Sequence, residues 1–231
     1  MMAKICLDYG HGGKDPGTVY KGRKESNDNL SLGRAVAAEL SGHGVEVIET
    51  RATDKTVSLG ERSGIANSSG CDYFISFHRN AFKPEQAKGA ETFVYTTPGT
   101  KSLQLGEKIQ KAMADVGFVN RGVKKANFYV LRETKSPAVL VEIGFLDNTG
   151  DNKLFDSKRN EIIEAIVKAV LSQLGMDYKG SPFGSKTAPN GGQVLYRVMA
   201  GSYAIRQNAE KQMERLKAAG FDAIIMTYEK P

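Results

Sequence analysis

Ala3-Lys4-Ile5-Cys6-Leu7-Asp8 runs straight into Tyr9-Gly10-His11-Gly12-Gly13, so a short apolar segment ends in a histidine enclosed by glycines. An apolar run of this length stopped by glycine reads as a buried strand, and the glycines let the backbone turn sharply and present the imidazole. Runs of the same kind recur at residues 45–50, 73–77, 90–95, 128–131 and 138–143. Between them apolar residues repeat at helical spacing: Leu32, Val36 and Leu40; Leu105, Ile109 and Met113; and, over about 159–174, Ile162, Ile163, Ile166, Val167 and Val170. Ser58, with Glu61 three residues on, makes a capping-box pattern that opens a further helix through Leu59, Arg62, Ile65 and Ala66. Strands alternating with helices argue for an α/β sheet covered by helices.

After Leu174 the periodicity stops. Residues 176–193 contain Gly180-Ser181-Pro182-Phe183-Gly184-Ser185 and Pro189-Asn190-Gly191-Gly192, the composition of a linker. Residues 194–231 read as one βαβ element: a strand at 194–200, a helix at about 205–219 with Ala209, Met213 and Leu216 on one face, and a strand at 223–227. Below about 40 residues such a unit has too small a core to stand alone, so it is expected to pack on another body.

The 231 residues are 40% hydrophobic and 25% charged, ordinary usage for a globular chain. No apolar run approaches the ~20 residues of a membrane helix, so no membrane insertion is expected. Met1-Met2-Ala3-Lys4 begins no charged leader with an apolar core and cleavage site. Synthesis in the cytoplasm without a signal peptide is therefore expected, with any action beyond the membrane waiting on release by lysis or a holin-like pore. Cys6 and Cys71 lie in or beside strand-like runs and read as buried free thiols rather than a disulfide or a CxxC metal site. A net charge of +6, half of it in residues 181–231, favours an anionic partner, and charge alone does not choose among nucleic acid, anionic lipid and an acidic wall polymer. No aromatic-interleaved basic run or nucleic-acid fingerprint accompanies it, so nucleic acid is not the expected partner.

The chain has three histidines. His11 follows the first strand, and His78 ends another in Phe74-Ile75-Ser76-Phe77-His78. In open α/β sheets ligands bind in the crevice beyond the strand ends, where these two imidazoles can converge. His43, in Ser41-Gly42-His43-Gly44, reads instead as a solvent-exposed helix cap. Catalytic zinc takes three protein ligands, His₂Glu among the known sets, and keeps a position for water. Asp15, Glu25 and Asp28 are candidates for the third ligand, and spacing does not separate them. Glu25, just before the first helix, is equally explained by the helix dipole. Glu142 interrupts Ala138-Val139-Leu140-Val141-Glu142-Ile143, where an ionised carboxylate costs several kcal/mol unless it is paired or near a cation. It is either the partner of an arginine such as Arg132 or a general base beside a metal-activated water. No Gly-x-Ser-x-Gly elbow, Walker lysine loop or dinucleotide fingerprint is present.

These stretches, in order, resemble the zinc-dependent N-acetylmuramoyl-L-alanine amidases. The likeness rests on His11-Gly12-Gly13 after a strand, Glu25 before a helix, Ser76-Phe77-His78-Arg79-Asn80-Ala81, and Pro137-Ala138-Val139-Leu140-Val141-Glu142-Ile143-Gly144-Phe145-Leu146-Asp147-Asn148. It spans about residues 2–174 and includes Leu59-Gly60-Glu61-Arg62 with Ala66-Asn67. The resemblance implies that His11, Glu25 and His78 hold Zn²⁺ and that Glu142 is the catalytic carboxylate. It further implies peptidoglycan as substrate, cleaved at the amide between the lactyl group of N-acetylmuramic acid and L-alanine. Tyr9, where the family often has proline or alanine, and Arg79, bulkier than expected, are departures that bear on substrate preference. Another zinc cell-wall peptidase, or a non-catalytic peptidoglycan-binding protein, are the alternatives that ligand type alone leaves open.

Tyr196-Arg197-Val198-Met199-Ala200-Gly201-Ser202-Tyr203, with Leu216-Lys217-Ala218-Ala219-Gly220-Phe221, resembles the first half of a sporulation-related (SPOR) repeat, a peptidoglycan-binding module. A complete module looks like βαββαβ, so two chains could each supply one half, as a homodimer. The expected organisation is thus a catalytic zinc amidase domain at 1–175, a linker at 176–193 and a SPOR-like half-repeat at 194–231. The fold class expected is α/β, an open twisted mixed sheet flanked by helices, with a small C-terminal βαβ unit. Such a chain suits a phage endolysin and a host autolysin equally.

Overall fold

The computed structural model describes residues 2–181, 205–218 and 225. The chain divides into two compact units, Met1–Gly184 and Ser185–Pro231. In the first, β1 (Lys4–Tyr9), β4 (Glu46–Glu49), β5 (Tyr73–Asn80), β6 (Ala90–Val94), β7 (Asn120–Lys125) and β8 (Ala138–Phe145) form one sheet, in the order β4-β1-β5-β8-β6-β7. β2 (Val19–Tyr20) and β3 (Arg23–Lys24) make a separate small hairpin. β4, β1, β5 and β8 run parallel, while β6 and β7 run antiparallel to them, so the sheet is mixed as expected. From β1 the chain goes to β4 on one side and then to β5 on the other. That reversal opens a crevice past the carboxyl ends of β1 and β5.

Side chains alternate across the sheet. Ile5, Leu7 and Tyr9, Ile75 and Phe77, and Val139, Val141 and Ile143 join the larger core, with α1 (Glu25–Gly42), α3 (Thr100–Val116) and α6 (Arg159–Leu174). Cys6, Phe74, Ala138 and Leu140 face the other way, into a smaller core with α2 (Leu59–Ser69) and α4 (Tyr129–Arg132). Both faces are covered, which is why these strands read as unbroken apolar runs. Further along the second face stand Asp8 and Ser76, and then His78 beside Glu142. The site grows out of the end of the sheet face that the short helices α2 and α4 leave without an apolar lining.

Asp8 anchors that region. Its buried carboxylate accepts hydrogen bonds from Arg62 Nη1 (2.7 Å), Thr50 Oγ1 (2.7 Å) and Ser76 Oγ (2.6 Å). Arg62 also donates to the carbonyls of Tyr9 and His11, so α2 holds the His11 turn. Removing one member of a buried pair strands the other's charge, which costs about 3–5 kcal/mol. Arg62→Ala is expected to lose that much in urea unfolding; a loss below about 1 kcal/mol would show the pair to be dispensable.

The structure corrects two readings and adds two elements. Residues 128–131 are not a strand: Phe128 is the N-cap of α4, and Val130 and Leu131 are buried. α5 (Thr149–Ser157), capped by the Asn148 side chain accepting from Asp151 N–H, and the edge strand β7 carry no clear signal in the sequence. His43 does cap α1, but its ring is half-buried and stacks on Tyr178, with centroids 5.0 Å apart. Cys6 and Cys71 are buried free thiols. No described helix is long and apolar enough to cross a membrane. In the second unit α7 (Arg206–Ala218) lies where a helix was expected. The strand expected at 194–200, all of that expected at 223–227 except Ile225, and most of the linker lie outside the described residues.

Candidate metal centre

Past β1 the chain turns through Gly10 to His11, whose φ of 63° is left-handed and uncommon outside glycine. Gly10 must be glycine for a packing reason: a Cβ there would fall 2.2 Å from the His78 ring. The imidazoles of His11 and His78 meet edge to face, with centroids 5.0 Å apart. Glu25, the first residue of α1 and 3% exposed, stands between them. Its Oε1 lies 3.2 Å from His11 Nε2 and 2.9 Å from His78 Nδ1. Oε1 also accepts the Arg79 N–H at 3.1 Å, and Oε2 accepts the Thr18 N–H at 3.0 Å. One ligand atom from each of the three residues falls within 4.8 Å of the others.

The geometry separates the three carboxylates that the sequence left equivalent. Asp15 Oδ2 sits 2.8 Å from His11 Nδ1, the ring nitrogen facing away from Glu25, so it orients that imidazole. Asp28 accepts from Arg79 Nη1 and Arg23 Nε, each at 2.6 Å, and takes no part in the centre. Glu25 alone bridges the histidines. Arg79 proves to be a buried brace: its guanidinium also donates to Asn152 Oδ1 and lies 4.1 Å from the centroid of the Phe155 ring. Its size therefore serves the contact between α1 and α5.

Electrostatics follow from this crowding. Burial opposes ionisation of Glu25, yet the hydrogen bonds and charges of His11 and His78 outweigh it and hold the carboxyl well below the usual carboxylate range. Burial likewise pulls His11 down, but Glu25 and then Asp15 raise it to about 9. Glu142 is the opposite case. Burial, with the positive charge of His78 opposing it and the negative charges of Glu25 and Glu91 adding to it, pushes it up to about 7. Its Oε2 is buried and, among the described residues, has no hydrogen-bond partner. The arginine that might have neutralised it is occupied elsewhere, since Arg132 donates to Glu133 and Asn127. His11, Asp15, Glu25, His78, Asn80 and Glu142 line one open cleft of about 490 Å³.

A family model described as N-acetylmuramoyl-L-alanine amidase matches residues 5–172. The chain belongs to the N-acetylmuramoyl-L-alanine amidases. This amidase is 34% identical over 229 residues to a sporulation-specific N-acetylmuramoyl-L-alanine amidase of Bacillus subtilis, covering 97% of this chain and 85% of the relative. It is 34% identical over 205 residues to an endolysin of Bacillus phage SPP1, covering 84% of this chain and 75% of that protein. Among solved structures, an N-acetylmuramoyl-L-alanine amidase from Clostridium difficile 630 matches with a TM-score of 0.73 at 34% identity, covering 78% of this chain and 99% of that one. A SPOR domain model matches residues 165–227, beginning within α6. The amidase hydrolyses peptidoglycan at the bond between N-acetylmuramic acid and L-alanine.

The sequence brought His11, His78 and Glu142 forward correctly as neighbours. It did not reveal Asp15 as the carboxylate behind His11, or Glu91, which lies opposite Glu142 on β6. A buried-acid argument like the one made for Glu142 would have found Glu91, since it too interrupts an apolar strand.

Proposed function

We propose that this amidase is a zinc enzyme in which His11, Glu25 and His78 hold the ion and Glu142 carries the proton of the reaction. The observation that carries this reading is the bridging position of Glu25 between two imidazoles, beside a buried carboxylate with an orphaned oxygen. The donor set fits: ligands at ~2.0–2.2 Å from a tetrahedral zinc lie roughly 3.3–3.6 Å apart, and the separations of 3.2 Å and 2.9 Å approach that spacing. Two nitrogens and one oxygen are also the ligand types of an open, catalytic site rather than a closed structural one.

When bound, zinc supplies a Lewis acid that lowers the pKa of water toward ~7 and polarises a carbonyl. The remaining work falls to the chain. Asp15 accepts the His11 Nδ1–H, so that with the ion bound Nε2, the nitrogen on the Glu25 side, would be the one to give its lone pair. Glu142 accepts a proton from the attacking water and passes it to the alanine nitrogen, so the C–N bond breaks as the new C–O bond becomes a carboxyl. A carboxyl poised near neutrality is suited to moving the proton in both directions.

Attachment to the wall is assigned to the C-terminal part, on the plan of a catalytic domain at 1–175, a linker at 176–193 and a binding unit at 194–231. Release from the cytoplasm by lysis or a holin-like pore belongs to the same proposal. The homodimer expected from pairing two half-repeats finds no support, because the strands it would use lie outside the described residues. Digestion of purified sacculi tests the activity. Chelated protein is expected to release nothing, and added zinc to restore new L-alanine amino termini without new reducing sugars. Undiminished release by the chelated protein would overturn the zinc assignment, and amino termini of another residue would favour a wall peptidase.

A further inference from the structure

We propose that Arg121 and Lys124 form a receptor for a carboxylate of the stem peptide, one or two residues beyond the scissile amide. The inference rests on the reading above that the amide lies beside Glu142. Glu91 is the partner of Glu142 across the β6–β8 pair and is 5% exposed. Its Oε2 accepts hydrogen bonds from both Arg121 Nε (2.8 Å) and Lys124 Nζ, and its Oε1 accepts from Asn80 Nδ2 (2.6 Å). Asn80 itself lines the cleft. One cation would neutralise the buried acid; two leave a surplus positive charge next to the reacting centre.

Arg121 spends only Nε on this bond. Among the described residues its two terminal nitrogens make no hydrogen bond, while the Phe145 ring lies 4.9 Å from the guanidinium and fixes its plane. An oriented guanidinium with donors to spare is the geometry that takes a carboxylate bidentately. The side chains of Arg121 and Lys124 are 33% and 42% exposed, so an incoming group can reach them. Cations on an edge strand such as β7 often serve to block edge-to-edge pairing. That role needs no buried acid, and here both cationic heads turn inward over β6 to Glu91.

The reach is consistent with a short peptide. Arg121 and Lys124 belong to β7, but their cationic heads stand at Glu91 on β6, one strand spacing, ~4.8 Å, from β8, and an extended peptide advances ~3.4 Å per residue. The lactyl carboxyl of N-acetylmuramic acid is consumed in the scissile amide, so a free carboxylate at this distance must come from the peptide. The carboxyl of L-alanine is itself spent on the next peptide bond, which points to an acidic second residue that keeps one of its two carboxylates free.

The test uses two soluble muramoyl tripeptides that differ only in whether the second residue's free carboxylate is left as the acid or converted to its amide. The full-length wild type is expected to favour the acid about tenfold in kcat/KM, chiefly through KM. In Arg121→Met/Lys124→Met the acid-to-amide ratio should fall to about one, and Lys124→Met alone should lower it in part, with Lys124→Arg restoring it. A wild-type ratio near one, or a ratio that both methionine variants leave intact, would overturn the proposal. The ratio is taken within each enzyme, so a general loss of activity does not imitate the effect. Failure of the Glu142 assignment would show differently, as cleavage of both substrates by Glu142→Ala.

Discussion

Glu142→Ala is expected to slow the release of stem peptides from sacculi about a thousandfold while one zinc stays bound per chain. Positioned acid–base groups contribute ~10²–10⁴ to rate, and Glu142 lies outside the set of donor atoms that converge on Glu25. Among the described residues its burial has no structural compensation: no arginine pairs with it, and one oxygen makes no hydrogen bond. A buried carboxylate in that state opposes folding. Glu142→Gln, which keeps the shape and removes the ionisation, should therefore hold or raise the unfolding midpoint of the metal-free protein while losing activity like the alanine variant. Activity retained by either variant, in a protein with its zinc in place, would remove Glu142 from the chemistry.

Glu25→Ala is the second large effect, and its size separates a ligand from an orienting group. Partners that only orient a metal-bound histidine are worth 10–100-fold in metal affinity. Loss of Glu25 should exceed that range, because it deletes a donor and leaves His11 and His78 without the charge they share. Asp15→Ala should fall within it, since Asp15 meets the centre through the far nitrogen of His11, its other oxygen accepting the Gly17 N–H. Asp28→Asn should leave zinc affinity unchanged and lower stability, because Asp28 pairs with Arg23 and Arg79. Competition titrations with a fluorescent zinc chelator give this order directly. Equal losses from Glu25→Ala and Asp15→Ala would contradict the assignment of the bridging ligand.

The fold was largely readable because most strands are buried on both faces and appear as uninterrupted apolar runs, and because helices such as α6 repeat their apolar residues at a clean helical spacing. Where it was not readable the reasons are local. β7 has a single apolar residue, Val123, among asparagine, arginine, glycine and lysines, as an edge strand beside the site can. The run at 128–131 is too short for periodicity to separate strand from helix, and the turn at Phe128 decided for α4. At the site, spacing placed His11 and His78 at neighbouring strand ends, but no spacing rule can say which oxygen of three nearby acids falls between two rings. That choice depends on the start of α1 and on glycine at position 10, which are tertiary facts. The departures at Tyr9 and Arg79 likewise gain their meaning only from contacts: Tyr9 donates to Glu49 beneath the sheet end, and Arg79 joins α1 to α5.

Anomalous diffraction at the zinc absorption edge, from crystals of the full chain loaded with one equivalent of zinc, tests the central claim most directly. The account predicts one strong peak bonded to His11, Glu25 and His78 at ~2.0–2.2 Å, with Asp15 on the outer nitrogen of His11 and Glu142 nearby but unbonded. A peak held by Asp15 or Asp28 in place of Glu25, or bonded directly to Glu142, would contradict it.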